Sequence, residues 1–175
     1  VPKNRRVVAA LGSPVLKLAA RRSAGAHPYQ TTPEHTARAR ALIGPDAFLA
    51  PEHKVVIRTA DERSREEYVT AAQARAVGRD HLGIYLQGTN YVNNWKRLGF
   101  IPTLDVTTPG SDALIDALIA YGRTDAIAAR LKALRRGRRP RPRASSDRPL
   151  IVTFTNAFTS PMKTAPGVIS GGRST

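Results

Sequence analysis

The sequence predicts an α/β protein built on parallel strands. Three observations predict it. Short apolar runs begin near residues 6, 25 and 54, and a capped helical segment follows each one. The spacing between runs leaves room for a crossover helix rather than a hairpin.

Each element has a local reason. Arg6 to Leu11 is a short apolar run that predicts a buried strand, broken by Gly12. Ser13 then reads as a helix N-cap with Pro14 at the first helical position, and the helix runs to about Arg22. Ala24 to Tyr29 predicts a second strand, weakened by Pro28. Thr32-Pro33-Glu34 starts a helix that Gly44-Pro45 stops after Ile43. His53 to Thr59, with three consecutive branched apolar residues, predicts a third strand. Asp61 reads as the cap of a helix over about 62–82. Ile84 to Leu86 and Asn90 to Phe100 predict a mostly helical insertion. Ser111 caps a helix that carries Leu114, Ile115, Leu118 and Ile119 on one face and ends at Gly122. Thr124 caps the next, with Ile127, Leu131 and Leu134 on one stripe.

The strand–helix alternation predicts a strand after that helix. A basic, proline-broken run comes instead, from Arg135 to Arg143. The net charge of +15 therefore divides: residues 1–134 hold 19 Lys/Arg against 12 Asp/Glu, and residues 135–175 hold 9 against 1. The expected organisation is an ordered domain over 1–134 and an irregular basic tail over 135–175.

Composition bounds the function classes. No apolar run approaches the roughly 18 residues of a membrane span, so no membrane association is expected. The start, Val1-Pro-Lys-Asn-Arg-Arg, lacks the apolar core of a secretory leader. The absence of cysteine rules out disulfides and thiolate metal sites and fits a cytoplasmic protein. His35, His53 and His81 have no metal-ligand spacing and read as surface or boundary residues.

Four stretches carry a family likeness: Val8-Ala-Ala-Leu-Gly-Ser-Pro14; Ala24-Gly-Ala-His-Pro-Tyr29 leading into Thr32-Pro-Glu-His-Thr36; Leu49-Ala-Pro-Glu-His-Lys-Val-Val-Ile57; and Asn90-Tyr-Val-Asn-Asn-Trp-Lys-Arg-Leu-Gly-Phe100 with Ser111-Asp112 and Ala120-Tyr-Gly122. In this order the chain resembles the luciferase-like monooxygenase superfamily, in the branch of oxidoreductases that use the deazaflavin coenzyme F-420. The resemblance covers roughly residues 5–134. It implies part of a (β/α)₈ TIM barrel, about strands five to seven with their helices, since a complete barrel needs about 250 residues. It implies hydride transfer between a deazaflavin and a small organic substrate. The same barrel accepts FMN, so an FMN-dependent monooxygenase is the alternative. A partial barrel implies pairing of two copies, or joining to a separately encoded first half. Family members commonly continue after the last helix with Ala-Gly-Ala-Asp-His-Val. One GC-rich encoding of that segment, read in another frame, gives Gly-Arg-Arg-Pro-Arg, as at Gly137 to Arg141. A frame change near Arg136 is therefore our hypothesis for the tail, and the nucleotide sequence tests it.

The resemblance also points to cofactor-binding residues. Gly12 and Ser13 lie at a strand-to-helix turn, where free backbone N–H groups favour an anion; the ordinary reading is a cap. His27, Tyr29, Thr31 and Thr32 lie where a parallel strand ends and its helix begins, the face on which barrels place their ligands. The ordinary reading there is a packed histidine and a Thr-Pro cap. No residue is a convincing catalytic acid or base, and His27 is the best candidate. Asn90, Asn93, Asn94 and Trp95 read chiefly as a loop anchored by a buried aromatic. The tail's arginines favour salt-sensitive, non-specific nucleic-acid binding, and a nucleic-acid-binding protein acting through the tail is the rival from another class.

Overall fold

A computed structural model of the chain describes residues 1–57, 68–136 and 151–156. The fold is mixed α/β, with six helices and short strands arranged in two three-stranded parallel sheets. The first sheet has the order β1 (Val7–Ala9), β2 (Gly25–His27), β3 (Phe48–Leu49). The second places β4 (Glu52–Ile57) between β5 (Ile119–Ala120) and β6 (Ile151–Asn156). The parallel alternation expected from the sequence is present. The strands described do not close into a barrel.

In the first sheet, α1 (Ser13–Arg22) and α2 (Pro33–Ile43) make the crossovers. Ala10, Leu16, Ala19, Ala26, Ala39, Ile43 and Leu49 form one buried cluster between strands and helices. Small residues dominate it, so helices and strands approach closely. The tightest approach is at Gly25, where a Cβ would fall 1.8 Å from the Phe48 carbonyl oxygen. Only glycine admits the third strand there.

One run of chain serves both sheets. The Ala50 amide donates to the Ala26 carbonyl at 3.0 Å, and the Glu52 amide donates to the Pro28 carbonyl at 2.8 Å. Past Pro51 the same run becomes β4 and takes new partners. Lys54 pairs with Ile119, and all six residues of β4 pair with β6.

Over the second sheet lie α3 (Ala71–Leu82), α4 (Thr89–Arg97) and α5 (Asp112–Leu118). Val56, Leu82, Trp95, Leu114, Ile115, Leu118 and Ile119 are among the residues of this second cluster. Its outer side is tied by ions: Arg75 reaches Asp116 through Nε at 2.9 Å and Nη2 at 2.5 Å, and Asp112 through Nη1 at 2.7 Å. The last helix, α6 (Thr124–Arg136), follows β5.

Several elements differ from the sequence reading. Ser13 is the first residue of α1, and Gly12 holds the cap position without a side-chain bond. α3 is capped by Thr70 and Gln73, which bond each other's backbone reciprocally; Asp61 and the segment before Tyr68 lie outside the described residues. The helix expected to end at Gly122 stops at Leu118, because Ile119 turns extended to pair with Lys54. Branched Ile119 fits a buried strand as well as a helix face, so periodicity alone misplaces it. The strand expected after α6 does exist, as β6, inside the stretch read as an irregular tail. The rest of that stretch, Gly137 to Leu150 and Ala157 to Thr175, lies outside the described residues.

Candidate functional site

The C-terminal ends of β1 and β2 open onto a cleft of about 310 Å³. Ala9, Ala10, Leu11 and Gly12 supply one wall, His27 and Tyr29 another, and Asn90, Tyr91, Asn93 and Arg97 of α4 roof it. Gly12, His27 and Tyr29, each expected at a site from the sequence, meet here.

Two positive features share one rim. α1 begins beside Gly12 with free N–H groups. A Cβ on Gly12 would come within 3.9 Å of Arg97 Nη1, so the guanidinium faces the same opening.

His27 is half-buried and held at both ring nitrogens. A carbonyl oxygen only accepts, so Nδ1 carries a proton and donates it to Ala50 at 2.7 Å. Nε2 lies 3.3 Å from Glu52 Oε2. This orientation follows from the extended run through Pro51, whose ladder on the β2 segment (Ala50 amide to Ala26, Glu52 amide to Pro28) brings the Ala50 carbonyl and the Glu52 side chain to the same ring.

From the cleft inward, Tyr29, His81, Tyr85, Tyr91 and Trp95 form a continuous aromatic row with centroids 4.9–6.3 Å apart; Tyr29 meets His81 and Tyr85 edge to face, as Tyr85 meets Tyr91, and the His81–Tyr85 and Tyr91–Trp95 pairs are tilted. Burial raises the Tyr29 phenol's pKa, with Tyr85 and Glu52 adding to the effect, so it stays protonated. Burial pulls the His81 imidazole down to about 4, helped by the Lys54 charge and opposed by Glu52 and Asp80.

The other expected site residues do not reach the cleft. Ser13 is spent on the first turn of α1. Thr31 is fully buried, and its hydroxyl has no hydrogen-bond partner. Thr32 accepts from the His35 amide at 3.4 Å and caps α2. Trp95 is fully buried and anchors α4, as the sequence reading expects, while Asn90 and Asn93 line the cleft.

His35 and His53 are not surface residues; each is 1% exposed. His35 Nε2 bonds the Leu11 carbonyl at 2.9 Å, fastening α2 to the end of β1. His53 has no hydrogen bond of good geometry at either nitrogen, and burial pushes it down to about 3, with Arg130 assisting and the Thr31 backbone opposing. The sequence reading missed their burial because it treated each histidine singly. His53 stands two residues before the apolar run Val55-Val-Ile57 in the same strand, which is the signal that places it inside. It also missed Glu52 and Arg97, which become site residues only through the strand pairing beside β2 and the roof.

Among the described residues, no group of acidic and histidine side chains is arranged to hold a metal ion, and no helix is long and apolar enough to cross a membrane. No family model, curated protein or solved structure matches the chain.

Proposed function

We propose that the cleft binds one end of a deazaflavin coenzyme of the F-420 type, and that the chain is part of a luciferase-like TIM barrel acting in oxidoreduction. The observation that carries the reading is the convergence of Gly12, His27 and Tyr29 at the C-terminal ends of neighbouring parallel strands. Parallel α/β folds bind ligands on that side.

The residues present suit such a molecule. The α1 N-terminus and Arg97 favour an anionic tail. Tyr29 and Tyr91 offer aromatic walls to a flat ring. At about 310 Å³ the cleft is at the lower end of ligand pockets, roughly 300–1,000 Å³, so it takes the ring or the tail but not both. A partial barrel has this consequence, since its remaining strands would supply the rest of the site.

The coenzyme, when bound, supplies hydride transfer. The chain's own part is binding and proton handling. His27, which lines the cleft, and Glu52 beside its Nε2 are the pair that handles the proton.

Titration with oxidised F-420 and with FMN, followed by fluorescence, tests the proposal. Saturable binding of F-420 that His27→Ala weakens supports it. Tighter binding of FMN transfers the reading to the flavin monooxygenases. Binding of neither overturns it.

A further inference from the structure

Residues 1–33 hold Lys3, Arg5, Arg6, Lys17, Arg21 and Arg22 and no Asp or Glu. The next stretch, 34–57, holds three Lys/Arg and three Asp/Glu, so the imbalance is local. All six cations are exposed, and among the described residues none of them is ion-paired. Other arginines have fixed partners. Arg75 and Arg79 hold Asp112 and Asp116, and Arg40 donates to three backbone carbonyls.

The fold gathers the six. Arg6 Nη2 donates to the Arg22 carbonyl at 3.1 Å, which sets the start of β1 beside the end of α1. α1 turns Leu16 and Ala19 inward, and its helical period leaves Lys17, Arg21, Leu18, Arg22 and Val15 on the outward arc. Val15 and Leu18, 40% and 45% exposed, and Val7 of β1, 46% exposed, lie among the charges. Among the described residues β1 has a strand partner on one side only, so its outer edge offers backbone donors and acceptors. Uncompensated positive charge, branched apolar side chains and a strand edge thus meet on one face.

We infer that this face docks an extended acidic segment of a partner protein. The segment adds to β1 as a strand, sets its carboxylates among the six cations and rests apolar side chains on Val7. Other occupants fit less of the face. For nucleic acid, no aromatic residue precedes Tyr29 to stack on bases, and the valines find no counterpart in phosphate. A lipid surface leaves the strand edge without backbone partners. A second copy brings the same six cations against these six. The inference does not depend on what the cleft binds.

The test uses the full chain and a short synthetic peptide that alternates Glu and Val. A Lys–Val peptide and a backbone N-methylated Glu–Val peptide are the comparisons. Anisotropy reads affinity, and hydrogen exchange reads the edge. The Glu–Val peptide should bind and slow exchange at residues 7–9, and the other two should not. Replacing Arg21 and Arg22 by serine should weaken binding about fivefold, the effect of two exposed ion pairs. Among the described residues neither side chain bonds the fold, since Arg22 holds Arg6 through its carbonyl. The same change at Arg138 and Arg139 should stay within about twofold, because charge away from the face is screened. No binding at millimolar peptide overturns the inference. So does equal binding of the N-methylated peptide, which reduces the effect to charge attraction. Amides at 7–9 already protected in the free chain mean that the chain covers its own edge, which also overturns it. Self-association that saturating peptide leaves intact gives the edge to a second copy instead. A DNA duplex or phosphatidylserine vesicles that bind through Arg21 and Arg22 more tightly than the peptide reassign the face and overturn the inference.

Discussion

The Trp95 indole donates a 3.0 Å hydrogen bond to the Gln30 carbonyl across 65 residues of sequence. It joins the roof helix to the end of β2 from inside the protein. Trp95→Phe leaves that buried carbonyl without a partner and opens space beside it. The expected loss is about 2–4 kcal/mol, from an unsatisfied acceptor plus a core truncation. Urea unfolding checks it; a midpoint equal to that of the unmodified chain refutes the link.

Gly25→Ala sets a Cβ against the backbone of Phe48, where no side chain is free to move aside. The expected result is separation of β3 from β2 and a loss of more than about 3 kcal/mol. Gly78→Ala is milder. Its Cβ would meet Ile115 Cγ2 at 2.6 Å and Ile119 Cδ1 at 2.8 Å, against a small gain in helix propensity. A loss of about 1–2 kcal/mol is expected. Thermal melting of the two variants orders them.

Acid weakens the fold from near-neutral pH downward. His53 and His81 have folded values of about 3 and about 4, below the ordinary 6.5 of an unfolded histidine, and His35 is lowered as well. Below that ordinary value the unfolded chain takes up protons that the folded chain refuses. Stability is therefore full above it and falls as pH drops towards 4, by up to about 1.4 kcal/mol per pH unit for each such histidine. Asp105, Asp116 and Glu34, held below their usual range by hydrogen bonds, extend the loss at lower pH. Unfolding curves at pH 7, 6 and 5 read the slope, and His53→Leu should flatten it.

Self-association is expected. Among the described residues β1 has a strand partner on one side only. Val7, Val15 and Leu18, on β1 and α1, are 40–46% exposed. An apolar surface beside an open strand edge invites pairing. Light scattering should show mass rising with concentration, and Val7→Lys with Leu18→Lys should reduce it. A monomer at all concentrations counts against the partial-barrel proposal.

The run Arg135 to Arg143 predicts weak, salt-sensitive nucleic-acid binding. Retention on DNA at low salt should vanish in moderate salt and disappear when Arg138, Arg139, Arg141 and Arg143 are replaced by serine. Binding that persists in salt and selects sequence supports the rival nucleic-acid function.

The alternation of strands and helices was legible because Thr32, Ser111 and Gly44 mark helix ends through local chemistry. Gly12, His27 and Tyr29 were legible as a set because strand ends in a parallel sheet face one way. What escaped was long-range. Glu52 reaches His27 only once residues 48–52 have laid down along the β2 segment, and Arg97 reaches Gly12 only once α4 has docked. Ile119 changes from helix to strand because Lys54 and Val55 offer it a ladder. His81 meets Gln30, 51 positions earlier. No local pattern encodes these meetings.

The passage from β3 to β4 makes Ala50-Pro51 a seam between two separate apolar clusters. Heat or denaturant can part the molecule along that line, loosening one cluster while the other holds. A calorimetric trace should then show two overlapping transitions. Because the Ala50 carbonyl at the seam also grips His27, a molecule seated in the cleft would draw the two transitions into one.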